Sequence, residues 1–233
     1  NVEIQDIAEK ALLDMLHTQN EKYGGDARTG VVVVMEVATG DIKAMVNMNR
    51  LESGSYFETK NNALTDILEP GSTFKTASLL VALDDKKISI NDSVDANKGL
   101  YKFGSATMRD HNWNKATAYG MLSVPQVLMY SSNVGTARLI DENYSKEPEK
   151  FVEGLHRMGL ATHFPLLPGT GRPVIRKPNA QKTNWSRTAL PWMSIGYENQ
   201  IPPISTASFY NAIANNGKMV RPRFVKGIMK DGE

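Results

Sequence analysis

The chain has 233 residues, 41% of them apolar and 22% charged, with a formal net charge of +2. That length accommodates one large domain or two small ones around a substantial core, and so small a charge implies no nucleic-acid partner. The absence of cysteine excludes disulfide scaffolds, thiolate nucleophiles and cysteine zinc sites.

Taken in chain order, Ile4, Ile7, Ala8, Ala11, Leu12, Met15 and Leu16 recur at helical spacing and predict an amphipathic helix from Val2 to about Tyr23. The β-branched run Val31 to Val37 reads as a strand buried on both faces. Thr39-Gly40-Asp41 is a turn, and Ile42 to Met48 returns as the antiparallel partner. Residues 49 to 68 read as a polar loop. A helix is predicted from Ser72 to about Lys86-Lys87, followed by a connector over Ile88 to Val94. Residues 95 to 120 show little periodicity. Ser123 is a helix N-cap with Pro125 in the first turn of Val124 to Met129. Further helices are expected over Val134 to about Asn143, Glu149 to Met158 and Ser205 to Asn215, with the proline-rich stretch 162 to 192 as a long loop. Arg223 to Met229 reads as a strand and Asp231-Gly232 as a hairpin turn. Such a turn with no strand after it would leave a sheet edge uncovered. The expectation is therefore a fragment cut before at least one more strand. No apolar run approaches the roughly 18 residues of a membrane span, so any anchor is expected outside this sequence.

The candidate chemistry centres on Glu69-Pro70-Gly71-Ser72-Thr73-Phe74-Lys75. A Pro-Gly break precedes a helix start, and Ser72 and Lys75 share a face one turn apart. A serine there lies among backbone N–H groups at the positive end of the helix dipole, which suits attack that creates an oxyanion, with an amine nearby to take the proton. By itself Ser-x-x-Lys also describes a capped helix followed by a solvated lysine. None of His17, His111, His156 or His163 falls in a triad motif, and no metal-ligand spacing occurs, so no metal or cofactor is expected. Serine–lysine enzymes usually add a Ser-x-Asn triplet. Ser89-Ile90-Asn91 lies too close to Ser72 along the chain. Ser131-Ser132-Asn133, between two predicted helices, can cross a cleft to reach it.

With these motifs in place, the chain resembles the transpeptidase domain of class B penicillin-binding proteins. The resemblance rests on the hairpin Val32 to Met45, on Lys60-Asn61-Asn62-Ala63-Leu64-Thr65-Asp66 leading to Glu69-Pro70-Gly71-Ser72-Thr73-Phe74-Lys75, and on Tyr130-Ser131-Ser132-Asn133-Val134-Gly135. Ser194-Ile195-Gly196-Tyr197, Ala212 to Gly217 and Arg221-Pro222 extend it over nearly the whole chain. The family commonly has arginine where Asn62 stands. Its third motif, Lys-Thr-Gly, is absent; Lys182-Thr183-Asn184 lacks the glycine and lies too early.

The resemblance implies an α+β fold of the penicillin-binding protein/serine β-lactamase type, with an antiparallel sheet packed by helices, a mostly helical subdomain and C-terminal sheet strands missing. One transpeptidase domain would cover 1–233, truncated at its end, with sheet-side segments at about 1–50 and 218–233 and the helical subdomain at about 88–165. It implies a serine-type D,D-transpeptidase that cross-links peptidoglycan. Ser72 would be the nucleophile, Lys75 the base, Ser131 the proton relay and Asn133 the substrate-amide ligand, with β-lactams acylating Ser72. Because one oxyanion donor would come from the missing strand, a loss of about 10²–10³ in rate is expected and the fragment should be poorly active. The implied partners are stem peptides, β-lactams, a glycosyltransferase and other cell-wall assembly proteins. The implied location is the periplasmic face of the bacterial cytoplasmic membrane, the membrane being reached only through a segment not in this chain. The alternatives are a β-lactam sensor, a β-lactamase-like enzyme or a non-catalytic wall scaffold. Hydrolysis is the weaker enzyme reading beside transpeptidation, because Glu147-Pro148-Glu149 comes too early to be the deacylating loop and Leu167-Pro168-Gly169 has no carboxylate.

Overall fold

The computed structural model describes residues 1–178 and 185–227. Lys182-Thr183-Asn184 and the Asp231-Gly232 turn lie outside the described residues. The chain divides into two compact units, Asn1–Leu68 with Thr162–Pro173 and Ile201 onward, and Glu69–Ala161 with Val174–Gln200.

In the first unit, the helix Val2–Glu21 opens on an Asn1 cap whose side chain accepts from the Ile4 N–H. It lies on an antiparallel sheet formed by Thr29–Met35, Ile42–Arg50 and Tyr56–Phe57. The register pairs Val32 with Val46 and Val34 with Ala44. These four join Ala8, Leu16, Met48 and Tyr56 in one apolar cluster, with Ile4 and Leu12 against it. The core stripe of the helix is therefore Ile4, Ala8, Leu12 and Leu16 at i, i+4 spacing. Ile7 and Met15, expected on that face, are exposed. The first strand is only half-buried along its length, not sealed on both faces as its valine run suggested. One face packs on the first helix, while Pro203–Ala214 also touches this strand. The predicted loop 49–68 holds a short strand, Tyr56–Phe57, and a helical turn, Asn62–Thr65. Both are too brief for periodicity to reveal. Asn62 is buried, at the position where the resemblance leads one to expect arginine. It accepts from Asn49 Nδ2 at 2.8 Å and donates to Asp66 Oδ2 at 2.8 Å.

The turn at Thr39-Gly40-Asp41 shows why glycine stands there. Gly40 has φ +76°, and a Cβ would lie 2.4 Å from the Arg221 carbonyl oxygen. Asp41 is buried and receives Arg223 Nε at 2.6 Å. That contact, helped by Lys226, holds its carboxyl well below the usual carboxylate range. Where a strand was expected from Arg223, the described residues form only a parallel bridge between Asp41 and Arg223. Among the described residues, backbone pairing in this segment ends at Arg223, which also forms the ion pair.

The second unit is mostly helical. A 3₁₀ turn, Gly71–Phe74, runs into the helix Lys75–Asp84, replacing the single α-helix expected from Ser72. Against it pack Asn133–Tyr144 and Pro148–Arg157, and Ala189–Ser194 covers the former. Val81, Ala137, Ile140, Tyr144, Phe151, Leu155 and Met193 are buried in this core. Gly154 permits the closest approach, since a Cβ there would lie 2.3 Å from Val81 Cγ1. Val124–Met129 forms as predicted, with a capping box between Ser123 and Gln126. Three strand pairs were not foreseen: Ser93–Asp95 with Met121–Ser123, Leu100–Phe103 with Ala106–Arg109, and Val174–Ile175 with Asn199–Gln200. Each strand has two to four residues, so the alternating pattern never accumulates.

Candidate active site

Ser72 lies on the 3₁₀ turn and is exposed. With three residues per 3₁₀ turn, side chains at i and i+3 eclipse, so Lys75 follows Ser72 on the same face more strictly than an α-helix would allow. Gly71 begins the turn at φ +56°. Its N–H donates to the Gly196 carbonyl at 3.2 Å. Ser78 Oγ, one turn further on, donates to the Ser194 carbonyl at 2.7 Å. The Ser194-Ile195-Gly196 stretch thus braces both the turn that carries Ser72 and the helix behind it.

Lys75 is 1% exposed. Its Nζ lies 2.6 Å from the Ser131 carbonyl oxygen, 3.0 Å from Ser131 Oγ and 2.6 Å from Asn133 Oδ1. The solvated lysine that a bare Ser-x-x-Lys also allows is not what forms. Burial disfavours the ammonium, and Lys75 is pushed down to about 8 despite the opposing negative charge of Asp110. Ser72 Oγ has no hydrogen-bond partner among the described residues. The structure thus gathers Ser131 and Asn133 around Lys75, with Ser72 one turn before it.

The Ser131-Ser132-Asn133 stretch sits at a helix junction, and each residue has a separate local task. Ser131 adopts φ +52°, a left-handed conformation uncommon for a side-chain residue. It turns the chain between Val124–Met129 and Asn133–Tyr144. Ser132 is the N-cap of the second helix and accepts from the Gly135 N–H at 2.9 Å. Asn133 is the first helical residue, and its Nδ2 donates to the Arg109 carbonyl at 2.8 Å, leaving Oδ1 for the lysine.

Sequence reasoning missed Arg109 and Asp110, which lie in the stretch where no element was assigned. Asp110 is buried and accepts from Ser132 Oγ at 2.7 Å and from the Val134 N–H at 2.9 Å. Residues 95–120 carry no periodicity or motif that singles it out. The Ser89-Ile90-Asn91 triplet forms a turn closed by the Ser89 N–H to Asp92 Oδ2 at 2.7 Å. Glu147, of the Glu-Pro-Glu sequence, pairs with Lys150. None of the four histidines hydrogen-bonds to Ser72 or Lys75 among the described residues. There, no cluster of three or more His, Asp or Glu could hold a metal ion. No described helix is long and apolar enough to cross a membrane.

The chain is similar to known proteins in sequence and in fold. The chain is 31% identical over 206 residues to a protein of Neisseria flavescens named "Probable peptidoglycan D,D-transpeptidase PenA", covering 86% of this chain and 48% of that one. It is 27% identical over 224 residues to the "Probable peptidoglycan D,D-transpeptidase FtsI" of Caulobacter vibrioides, covering 94% and 35%. Among solved structures, the apo transpeptidase domain of Burkholderia pseudomallei penicillin-binding protein 3 superposes with a TM-score of 0.75 at 26% identity, covering 100% of this chain and 62% of that one. The chain thus spans about half the first relative and about a third of the second. Residues 30–232 match the family described as "Penicillin binding protein transpeptidase domain". The chain belongs to the penicillin-binding protein transpeptidase family, and its α+β fold is that family's fold.

Proposed function

We propose that this chain carries the acylating centre of a serine-type peptidoglycan D,D-transpeptidase. The observation that carries this reading is the buried Lys75 amine held by Ser131 and Asn133 one turn from an exposed Ser72. A neutral lysine has two N–H donors and one lone pair. The two 2.6 Å contacts, to the Ser131 carbonyl and Asn133 Oδ1, suit the donors. The 3.0 Å contact to Ser131 Oγ then suits a lone pair receiving a hydroxyl proton.

In the proposed sequence, Ser72 Oγ attacks the carbonyl between the terminal D-alanines of a stem peptide, and its proton passes to Lys75. The Ser72 N–H, at the start of a helical turn, offers a donor to the oxyanion. Lys75 returns the proton through Ser131 to the leaving amine as the C–N bond breaks, giving a Ser72 ester and free D-alanine. Asn133 accepts the substrate amide N–H on Oδ1, exchanged from the lysine, or donates its remaining Nδ2 hydrogen to the substrate amide carbonyl. An amine of a second stem peptide then attacks the ester, forms the cross-link and frees Ser72. β-Lactams would enter by the same first step. Stem peptides are the proposed substrates, and other cell-wall assembly proteins, a glycosyltransferase included, the proposed partners. The periplasmic face of a bacterial membrane is the proposed location.

The test is labelling with fluorescent penicillin of the polypeptide that carries these residues in the cell. Covalent label on the wild type and none on Ser72→Ala is the expected result. A folded wild type that takes no label, or label that persists in Ser72→Ala, would sink the proposal.

A further inference from the structure

We propose that Asp110 is a positioning residue for the reaction proposed above: its buried carboxylate fixes the start of the Asn133–Tyr144 helix so that Ser131 and Asn133 present their oxygens to Lys75, and it supplies the counter-charge that the lysine feels. The inference rests on the acylation reading and adds a residue that no motif contains.

The geometry begins with the Leu100–Phe103 and Ala106–Arg109 hairpin. Immediately after it, the Asp110 N–H donates to the Gly99 carbonyl at 2.8 Å, and the Asp110 carbonyl accepts from the Trp113 N–H at 3.2 Å. Gly99, at φ +71°, leaves no room for movement, since a Cβ there would lie 3.0 Å from Asp110 Cβ and 3.1 Å from Trp113 Cα. The backbone is therefore fixed before the side chain acts. One carboxylate oxygen takes the Val134 N–H and the other the Ser132 hydroxyl, which itself accepts from the Gly135 N–H. A carboxylate on the first turn of a twelve-residue helix also meets the positive end of its dipole. The neighbouring Arg109 carbonyl takes Asn133 Nδ2. Two consecutive residues, 109 and 110, thus hold residues 132 to 134 from one side, while Lys75 meets 131 and 133 from the other.

The charges around Lys75 leave Asp110 as its counter-charge. The Gly71–Phe74 turn, Val124–Met129 and Ala189–Ser194 contain no Asp, Glu, Lys, Arg or His. On the lysine's own helix and the turn after it, Asp84 and Asp85 are engaged by Arg157 of Pro148–Arg157. On Asn133–Tyr144, Arg138 pairs with Glu142 and Asp141 is influenced by Arg187. Arg109 stacks over Trp113 with its guanidinium 5.1 Å from the ring centroid. Burial lowers the proton affinity of Lys75, and Asp110 opposes that. Removing the charge therefore makes Lys75 lose its proton at lower pH.

The experiment measures the rate of acylation by fluorescent penicillin from about pH 5 to about pH 10. It compares the wild type, Asp110→Asn, Asp110→Glu and Ser132→Ala, with Lys75 titration followed by nitrogen-15 NMR of lysine-labelled protein. Asp110→Asn is isosteric and keeps an acceptor for Val134. Its acid limb and its Lys75 titration should both move down by about one pH unit, while Asp110→Glu keeps both where the wild type has them. Ser132→Ala keeps the charge and cuts one anchor, so its plateau rate should fall by about tenfold with the limb unmoved. A folded Asp110→Asn with the wild-type limb and titration overturns the proposal. Should that variant not fold, a wild-type plateau in Ser132→Ala overturns it. A wild type that takes no label refutes the acylation reading instead, and the NMR titration still decides the role of Asp110.

Discussion

Gly196 and Gly71 approach so closely that a Cβ on Gly196 would lie 2.0 Å from the Gly71 carbonyl oxygen and 2.7 Å from its nitrogen. Gly196 also has φ +91°, a conformation strained for any side chain. Gly196→Ala therefore suffers both a backbone clash and torsional strain. We expect a loss of more than about 1 kcal/mol in stability. Penicillin labelling should fall more than stability does, because the displaced backbone is the turn that carries Ser72. Urea denaturation and labelling rates on the same preparation check this; labelling that merely tracks the folded fraction contradicts it.

Lys75 predicts two pH effects of defined sign. With its proton affinity pushed down to about 8, the acylation rate should rise with pH through that region as the neutral amine appears. The unfolded chain holds that proton to about 10.5, so between these values it binds more protons than the native state. Stability contributed by this residue must then rise with pH from about 8 to about 10.5. Denaturation of wild type and Lys75→Met at both ends of that window should show the wild type gaining on the variant at the alkaline end. A constant difference contradicts the assignment.

Ser131 allows activity and stability to be separated. Its φ of +52° is strained for serine but free for glycine. Ser131→Gly keeps the carbonyl that receives Lys75 and removes the hydroxyl. Acylation should fall by about 10²–10⁴, while folding stability stays level or rises by up to about 1 kcal/mol. Stopped-flow labelling and calorimetry together read this; a drop in both would mean that the hydroxyl serves the fold.

Gly154 and Val81 make a prediction away from the site. Gly154→Ala overpacks a contact that has no slack and should cost about 1–3 kcal/mol. Adding Val81→Ala, which removes the atoms met, should recover part of that loss. A double-mutant cycle measures the coupling, and strict additivity would show that the helices separate freely.

Much of this architecture is legible in the sequence where elements are long or capped. Val124–Met129 was fixed by Ser123 and Pro125, and the first hairpin by its valine run and the Gly40 turn. Ser72, Lys75, Ser131 and Asn133 were named by motif, and the structure gathers Ser131 and Asn133 about Lys75. What escaped were elements held by tertiary contacts instead of local pattern. The Leu100–Arg109 hairpin carries only Phe103 and Met108 as buried apolar residues, too few for a period, so Asp110 at its end went unseen. The half-burial of the first strand escaped because valines look alike whether one face is covered or two. The 3₁₀ turn Gly71–Phe74 escaped because four residues are too few for a pattern to tell three residues per turn from 3.6.

The lysine at the centre has a consequence for how the chain reaches its final state. Lys75 meets its acceptors across 56 and 58 residues of chain, and Ser78 finds Ser194 across 116. Asp41 finds Arg223 across 182. Contacts so distant in sequence close late, since chain entropy must be overcome before they form. During synthesis the lysine therefore emerges solvated and charged, and its hold on the proton weakens toward a value of about 8 only once residues 109 to 133 have enclosed it. The proposed base thus acquires its lowered proton affinity only through tertiary contacts, so reactivity toward penicillin can report that residues 75, 131 and 133 have come together.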